Sequence, residues 1–224
     1  MSARLRMTPA PEAPEARPVD LPETPNPAHA YLSRLAALHD EAAETAHLAN
    51  LLGRAPWTAG LLGLGGLGTA LVCARSVSSF ALAAWLMLVT FAVAAIGRSY
   101  GKAIEEPFDR AALKTFARDL SAILLYAGAA WGAGLFLALP ADLSLGGAIA
   151  FTATIGALIV GILRARDMAF SFLVPATAVG AFSSLMRDAS LTDALGILAG
   201  GLLVAAAATL LERLLTAASR TELG

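Results

Sequence analysis

Apolar and polar residues fall along this chain in long blocks rather than in short periods. Six blocks are almost wholly apolar: Trp57–Ala74, Phe80–Gly97, Leu120–Leu139, Leu145–Leu163, Met168–Met186 and Ala194–Leu211. A helix of about 20 residues rises roughly 30 Å, the thickness of a bilayer's hydrocarbon core. Each block therefore predicts a transmembrane helix, although the glycine-rich first block is barely long enough. None carries Asp, Glu, Lys, Arg or His in its middle. The clearest pair is the third and fourth, separated only by Pro140-Ala141-Asp142-Leu143-Ser144. Arg110, Lys114 and Arg118 precede that pair, and Arg164 and Arg166 follow it. The pattern predicts an all-α, six-span transmembrane bundle over residues 55–213, built as three hairpins.

Residues 28–54 read differently. Leu35, Leu38, Ala42, Thr45, Ala49 and Leu52 step by three and four along one stripe, with Arg34, Asp40, Glu41, Glu44 and His47 mostly off it. That predicts an amphipathic cytoplasmic helix that lies on the membrane, packs on the bundle or pairs with a second copy. Acids match bases here, whereas helices lying on a membrane favour Lys and Arg. Residues 1–27 hold seven of the eleven prolines and few bulky apolar side chains. Such a segment buries too little surface to offset its ordering entropy, so a disordered tail is expected, with a proline-motif ligand as the sharper alternative. It also lacks the apolar region of a cleavable signal peptide. Residues 214–224 are expected to form a short cytoplasmic tail.

Composition agrees with a membrane protein: 57% of residues are hydrophobic and the mean hydropathy is +0.68. A formal charge of −1 gives no overall field toward nucleic acid, and no nucleic-acid partner is expected. Cys73 is the only cysteine, which excludes an internal disulfide.

Where the charges lie matters more than their total. Fourteen of the sixteen Lys and Arg fall on the N-terminal side of the six-span arrangement, and only Arg75 and Arg187 fall opposite. The positive-inside rule then predicts both termini in the cytoplasm, and five or seven spans would break the alternation. The one sizeable loop, Arg98–Arg118, is cytoplasmic on this reading. Pro107 suits the first turn of a helix, with Phe108, Ala112 and Phe116 sharing a face that runs into the third span. Arg98, Lys102, Phe108, Arg110, Lys114 and Phe116 form the candidate partner surface.

Motifs with chemical content are few. Gly63-Leu-Gly65-Gly66-Leu-Gly68 spells a dinucleotide fingerprint, but it lies inside an apolar block with no acid until Glu105. Close helix packing is its better use. Gly128 and Gly132, and Gly196 and Gly200, are spaced i, i+4, which lets backbones approach. They predict helix contacts within the bundle, with a dimer face as the alternative. The tips Asp142–Ala148 and Asp188–Ala194 share the pattern D-x-S-L-x-x-A, read as helix capping more readily than as a duplicated hairpin. Pro175 interrupts the fifth block and is a candidate hinge. His29, His39 and His47 all precede the first block, so no metal or haem ligand set is expected at depth, and no cofactor is expected. The serines and threonines of the blocks lack a His or Lys partner, so no catalytic constellation is expected either.

Taken in order, the parts resemble a known type. Leu51-Leu52-Gly53-Arg54 closes an N-terminal helix. Trp131-Gly132, the tip at Leu139-Pro140, the Arg164–Arg166 link, Phe172-Leu173-Val174-Pro175 and Glu212-Arg213 follow. The region 31–213 resembles the multi-span N-terminal membrane sensor modules of bacterial diguanylate cyclases and sensor histidine kinases. Such a resemblance implies a sensory module in the bacterial inner membrane, although no cyclase or kinase signature is present here. The expected function is a non-catalytic sensory, regulatory or scaffolding role in the lipid bilayer, acting through a protein partner or a homo-oligomer. The alternatives are a small permease for an apolar or lipid-like solute and an assembly subunit of a membrane complex. A water-filled central cavity with polar lining would favour the permease, and a solid core with an exposed small-residue groove would favour the scaffold or subunit.

Overall fold

The computed structural model describes residues 27–105, 109–140, 143–187 and 190–221, and the elements in it are all helices. They are α1 (Pro27–Cys73), α2 (Ser79–Glu105), α3 (Arg110–Leu137), α4 (Leu145–Leu163), α5 (Arg166–Leu185) and α6 (Leu191–Thr221). The chain divides into a first unit, Met1–Glu41, whose described part is the opening of α1, and a second unit, Ala42–Gly224. Five helices contain stretches long and apolar enough to cross a membrane; α6 has an apolar described stretch, Leu191–Ala207, just short of that length. The all-α bundle is as expected. Most of the predicted tail lies outside the described residues.

Three boundaries differ from the sequence reading. The separate helix over 28–54 and the first span are one continuous helix of 47 residues that passes through Pro56. Proline deletes one backbone donor and crowds the preceding turn. Here the apolar face continues across it, with Leu48, Leu51, Leu52, Ala55 and Leu62 all buried, and that burial holds the helix together. The loop Arg98–Arg118 is mostly helix, because α2 runs on to Glu105 and α3 begins at Arg110. Asp109 caps α3 by accepting from the Ala112 amide at 2.7 Å, whereas Pro107 and Phe108 lie outside the described residues. The last helix begins at Leu191, three residues earlier than its apolar block.

Capping explains the shared serine of the two tips. Ser144 precedes α4 and accepts from the Gly147 amide at 3.2 Å. Ser190 precedes α6, accepts from the Asp193 amide at 3.1 Å and donates to the Asp193 carboxylate at 2.7 Å, while Asp193 also accepts from the Ser190 amide. This reciprocal arrangement satisfies donors that a helix start leaves unpaired.

Neighbours in sequence are not always the main packing partners. The most extensive pairing joins α3 to α5, which are not neighbours in sequence, while α3 and α4 meet over only a short stretch. Small residues decide this. A methyl built on Gly128 would run into the carbonyl oxygen of Phe172, and one built on Gly132 would strike the Ala176 carbonyl and lie 2.8 Å from the Gly180 nitrogen. Bare Cα positions thus face carbonyls across the interface, the arrangement that permits Cα–H···O contacts. Around this pair, α2 lies against α3, and α6 against both α5 and α4. From the N-terminal side, Gly65 of α1 makes room for Trp131 of α3 and Ile155 of α4, and Gly66 for Val89 of α2.

The four glycines singled out from sequence all sit at contacts within the bundle, but with different neighbours. Gly128 and Gly132 meet backbone; Gly196 and Gly200 meet the side chains of Leu145 and Ile149 on α4. Backbone cannot yield, whereas a leucine tip can. Gly132→Leu is therefore expected to cost about 1–3 kcal/mol and to lower the melting temperature in detergent. Gly196→Ala, whose new methyl would sit 3.1 Å from a Leu145 methyl, is expected to leave it nearly unchanged. Equal melting temperatures for Gly132→Leu and wild type would place that face toward lipid.

Candidate functional site

Chemistry-bearing side chains gather where α1 passes the foot of α3. Glu44 on α1 accepts from Arg110, which also ion-pairs with it, and forms a second ion pair with Lys114 at 2.9 Å. Arg110 and Lys114 are one helical turn apart, so both reach the same partner. The Arg110 and Lys114 hydrogen bonds, in that order, hold the Glu44 carboxyl below the usual glutamate range. These residues belong to the polar opening turns of α1 and α3, ahead of the apolar blocks.

The candidate partner surface is only partly realised. Arg98 and Lys102 are exposed on α2. Arg110 and Lys114 are engaged with Glu44. Phe116 is 3% exposed and belongs to the core with Leu113 and Leu120, so it is not a docking residue; the apolar face it shares points inward. Phe108 lies outside the described residues. Pro175 lies inside the continuous α5 and faces α3, with Cγ 2.9 Å from where a Gly128 methyl would be. Just N-terminal to it, the Ser121 and Ser171 hydroxyls meet at 2.7 Å between the same two helices.

Three features carried no signal in the sequence. Trp85 and Trp131 are almost fully buried and lie edge to face, with centroids 5.5 Å apart, and Phe151 stacks on Trp131 at 4.9 Å. Their indole nitrogens donate to the carbonyls of Ala130 and Phe151, both at 2.9 Å, which satisfies the one polar atom of each ring. Arg54 of α1 reaches the Leu163 carbonyl at the end of α4. Arg187, just past α5, donates to the Leu139 carbonyl at 2.6 Å and to that of Phe136, and lies over the Phe136 ring. Each of these two arginines closes the carbonyl end of a helix that is not its own, where the macrodipole favours a cation. Tryptophans in apolar blocks are common, and a flanking arginine does not announce which helix it will reach.

Large side chains are enclosed in the core. Trp85, Trp131, Phe172, Leu120, Leu124 and Ile159 are its largest enclosed members. Buried hydroxyls such as Thr152 and Thr177 donate to carbonyls of their own helices. Large apolar residues face outward instead, among them Trp57, Phe80, Met87, Phe182, Leu202 and Leu203. Outward apolar surface on helices of spanning length defines the class: a multi-pass integral membrane protein whose solvent around the spans is lipid. Comparison with known proteins finds no matching family model, curated relative or solved structure.

The Glu44 clamp has a definite pH dependence. A carboxyl whose pKa is lowered on folding contributes stability above its unfolded pKa and loses it as pH falls through the folded value. The link from α1 to α3 should therefore hold at neutral pH and release only below the ordinary glutamate value of 4.5. Amide protection factors over residues 42–50 should stay constant from neutral pH down to that value and fall below it. Glu44→Gln should show the lower protection already at neutral pH. No difference between Glu44→Gln and wild type would mean the clamp does not restrain α1.

Proposed function

We propose that this chain is a non-catalytic protein of the bacterial inner membrane that acts through a partner, in a sensory, regulatory or scaffolding role. One observation carries the reading. Tyr31, Leu32, Leu35 and Leu38 on the opening turns of α1 are 45–64% exposed. Around them lie Arg34, Asp40, Glu41 and Glu44, which do not belong in hydrocarbon. An apolar stripe set among charges and left uncovered is a docking surface. Its 3–4 stepping from Leu35 to Ala49 is the spacing of a coiled-coil seam. Copies inserted in one membrane with one topology present this helix in parallel, which suits pairing with a second copy.

Both termini are assigned to the cytoplasm. The cation bias supports this, and the engagement of Arg187 with the end of α3 strengthens it. One of the two cations on the opposite side is held there by helix carbonyls.

Two measurements test these readings. In a Cys73→Ala background, cysteine at Ala141 should label from outside intact cells, and cysteine at Ala103 should not; the reverse pattern would invert the topology. Leu35→Cys in the same background should crosslink between copies in native membranes, and adding Leu38→Glu should suppress the crosslink. A monomer that neither crosslinks nor changes its mass in mild detergent on Leu35→Glu/Leu38→Glu substitution would remove the stripe as a docking surface.

A further inference from the structure

At another edge of the bundle, α4, α5 and α6 leave a shallow groove that nothing above has used. Val160 and Phe170, both half-buried, line it over the buried Ala169, Leu173 and Ala205. Arg166 and Thr209 sit at its foot. Arg166 is exposed, and its guanidinium carbon lies 5.6 Å from the centre of the Phe170 ring. Ala205, Thr209 and Arg213 succeed one another at intervals of four, which sets exposed Arg213 one turn beyond Thr209 on the groove's side of α6. Arg164, exposed at the left-handed turn that ends α4, is the third cation of this corner. Among the described residues none of the three arginines forms an ion pair. Asp167, in the first turn of α5, is exposed beside them.

We propose that this corner binds an anionic phospholipid, with its phosphate at Arg166 and Arg213 and an acyl chain along the half-buried Val160 and Phe170. The inference rests on the membrane-spanning fold and not on the orientation or the partner proposed above. Charge and surface together select the occupant. A free anion would make no use of the apolar walls. The same face of a second copy would bring its own three cations against these, and like charges across an interface repel. Phospholipid supplies the opposite charge and the apolar chain in one molecule, and a basic side chain near an anionic headgroup contributes about 1 kcal/mol. Arg166 is well suited to the headgroup, because a guanidinium presents paired donors at its edge to phosphate while its face lies over an aromatic ring.

The test is native mass spectrometry of the full chain in detergent, incubated with phosphatidylglycerol or with phosphatidylcholine. Wild type should retain phosphatidylglycerol in preference. Arg166→Gln/Arg213→Gln should weaken that retention by about fivefold for each arginine removed. Arg98→Gln/Lys102→Gln, which removes two exposed cations from α2, should leave it unchanged. Thr209→Trp should block the groove and reduce retention with every charge in place. Inorganic phosphate in large excess should not displace the lipid. Equal retention of the two lipids, full retention by Arg166→Gln/Arg213→Gln, an equal loss in the α2 control, or displacement by phosphate would each overturn the proposal. If Thr209→Trp does not fold, the arginine variant decides alone, because it alters only exposed side chains.

Discussion

The contact on which the bundle depends is the backbone-to-backbone approach of α3 and α5. In lipid, burying leucine against leucine yields little, because hydrocarbon tails are just as apolar. Association must come from close packing and from polar contacts unavailable with lipid. Gly128 and Gly132 provide the first by letting the Phe172 and Ala176 carbonyls approach bare Cα positions. The Ser121–Ser171 hydroxyl pair provides the second on the same seam. With α3 and α5 joined, α4 is displaced from its sequence neighbour and packs mainly on α5 and α6. The short stretch where α3 and α4 still meet is the Trp131–Phe151 stack.

Arginine secures the ends of this arrangement. Arg54 and Arg187 each reach the terminal carbonyls of a distant helix, α4 and α3 respectively. A helix C-terminus presents unpaired carbonyls and partial negative charge, and a guanidinium satisfies both. These contacts also distinguish cations held at helix ends and in the clamp from exposed ones. Arg187 is occupied, Arg110 and Lys114 hold Glu44, and Arg98, Arg164 and Arg166 are exposed.

That separation shapes the functional reading. The apolar stripe on the opening of α1 is set among charges and suits a protein partner, whereas the groove of α4, α5 and α6 combines cations with a wall for hydrocarbon. The clamp at Glu44 lies on α1 ahead of the buried Leu48–Leu62 face and ties it to the foot of α3.

The apolar blocks by themselves determined the helical class and nearly every helix, because a bilayer demands about 20 apolar residues and imposes that demand locally. Serine at both tips was likewise legible as capping, since a cap acts within four residues of itself. The glycine pairs announced close contacts but not their partners. Those partners depend on which carbonyls α5 and which side chains α4 present across the interface, a long-range matter with no trace in local spacing. The same limit explains Phe116, whose position on an amphipathic face fitted docking and core equally until the burial of α3 assigned it to the core. It explains Pro56 too: proline signals a break, and only the burial of Leu52, Ala55 and Leu62 around it kept α1 whole. The lipid groove was the least legible feature, because Arg166 and Phe170 of α5 and Ala205 and Arg213 of α6 acquire a common meaning only where those two helices pack.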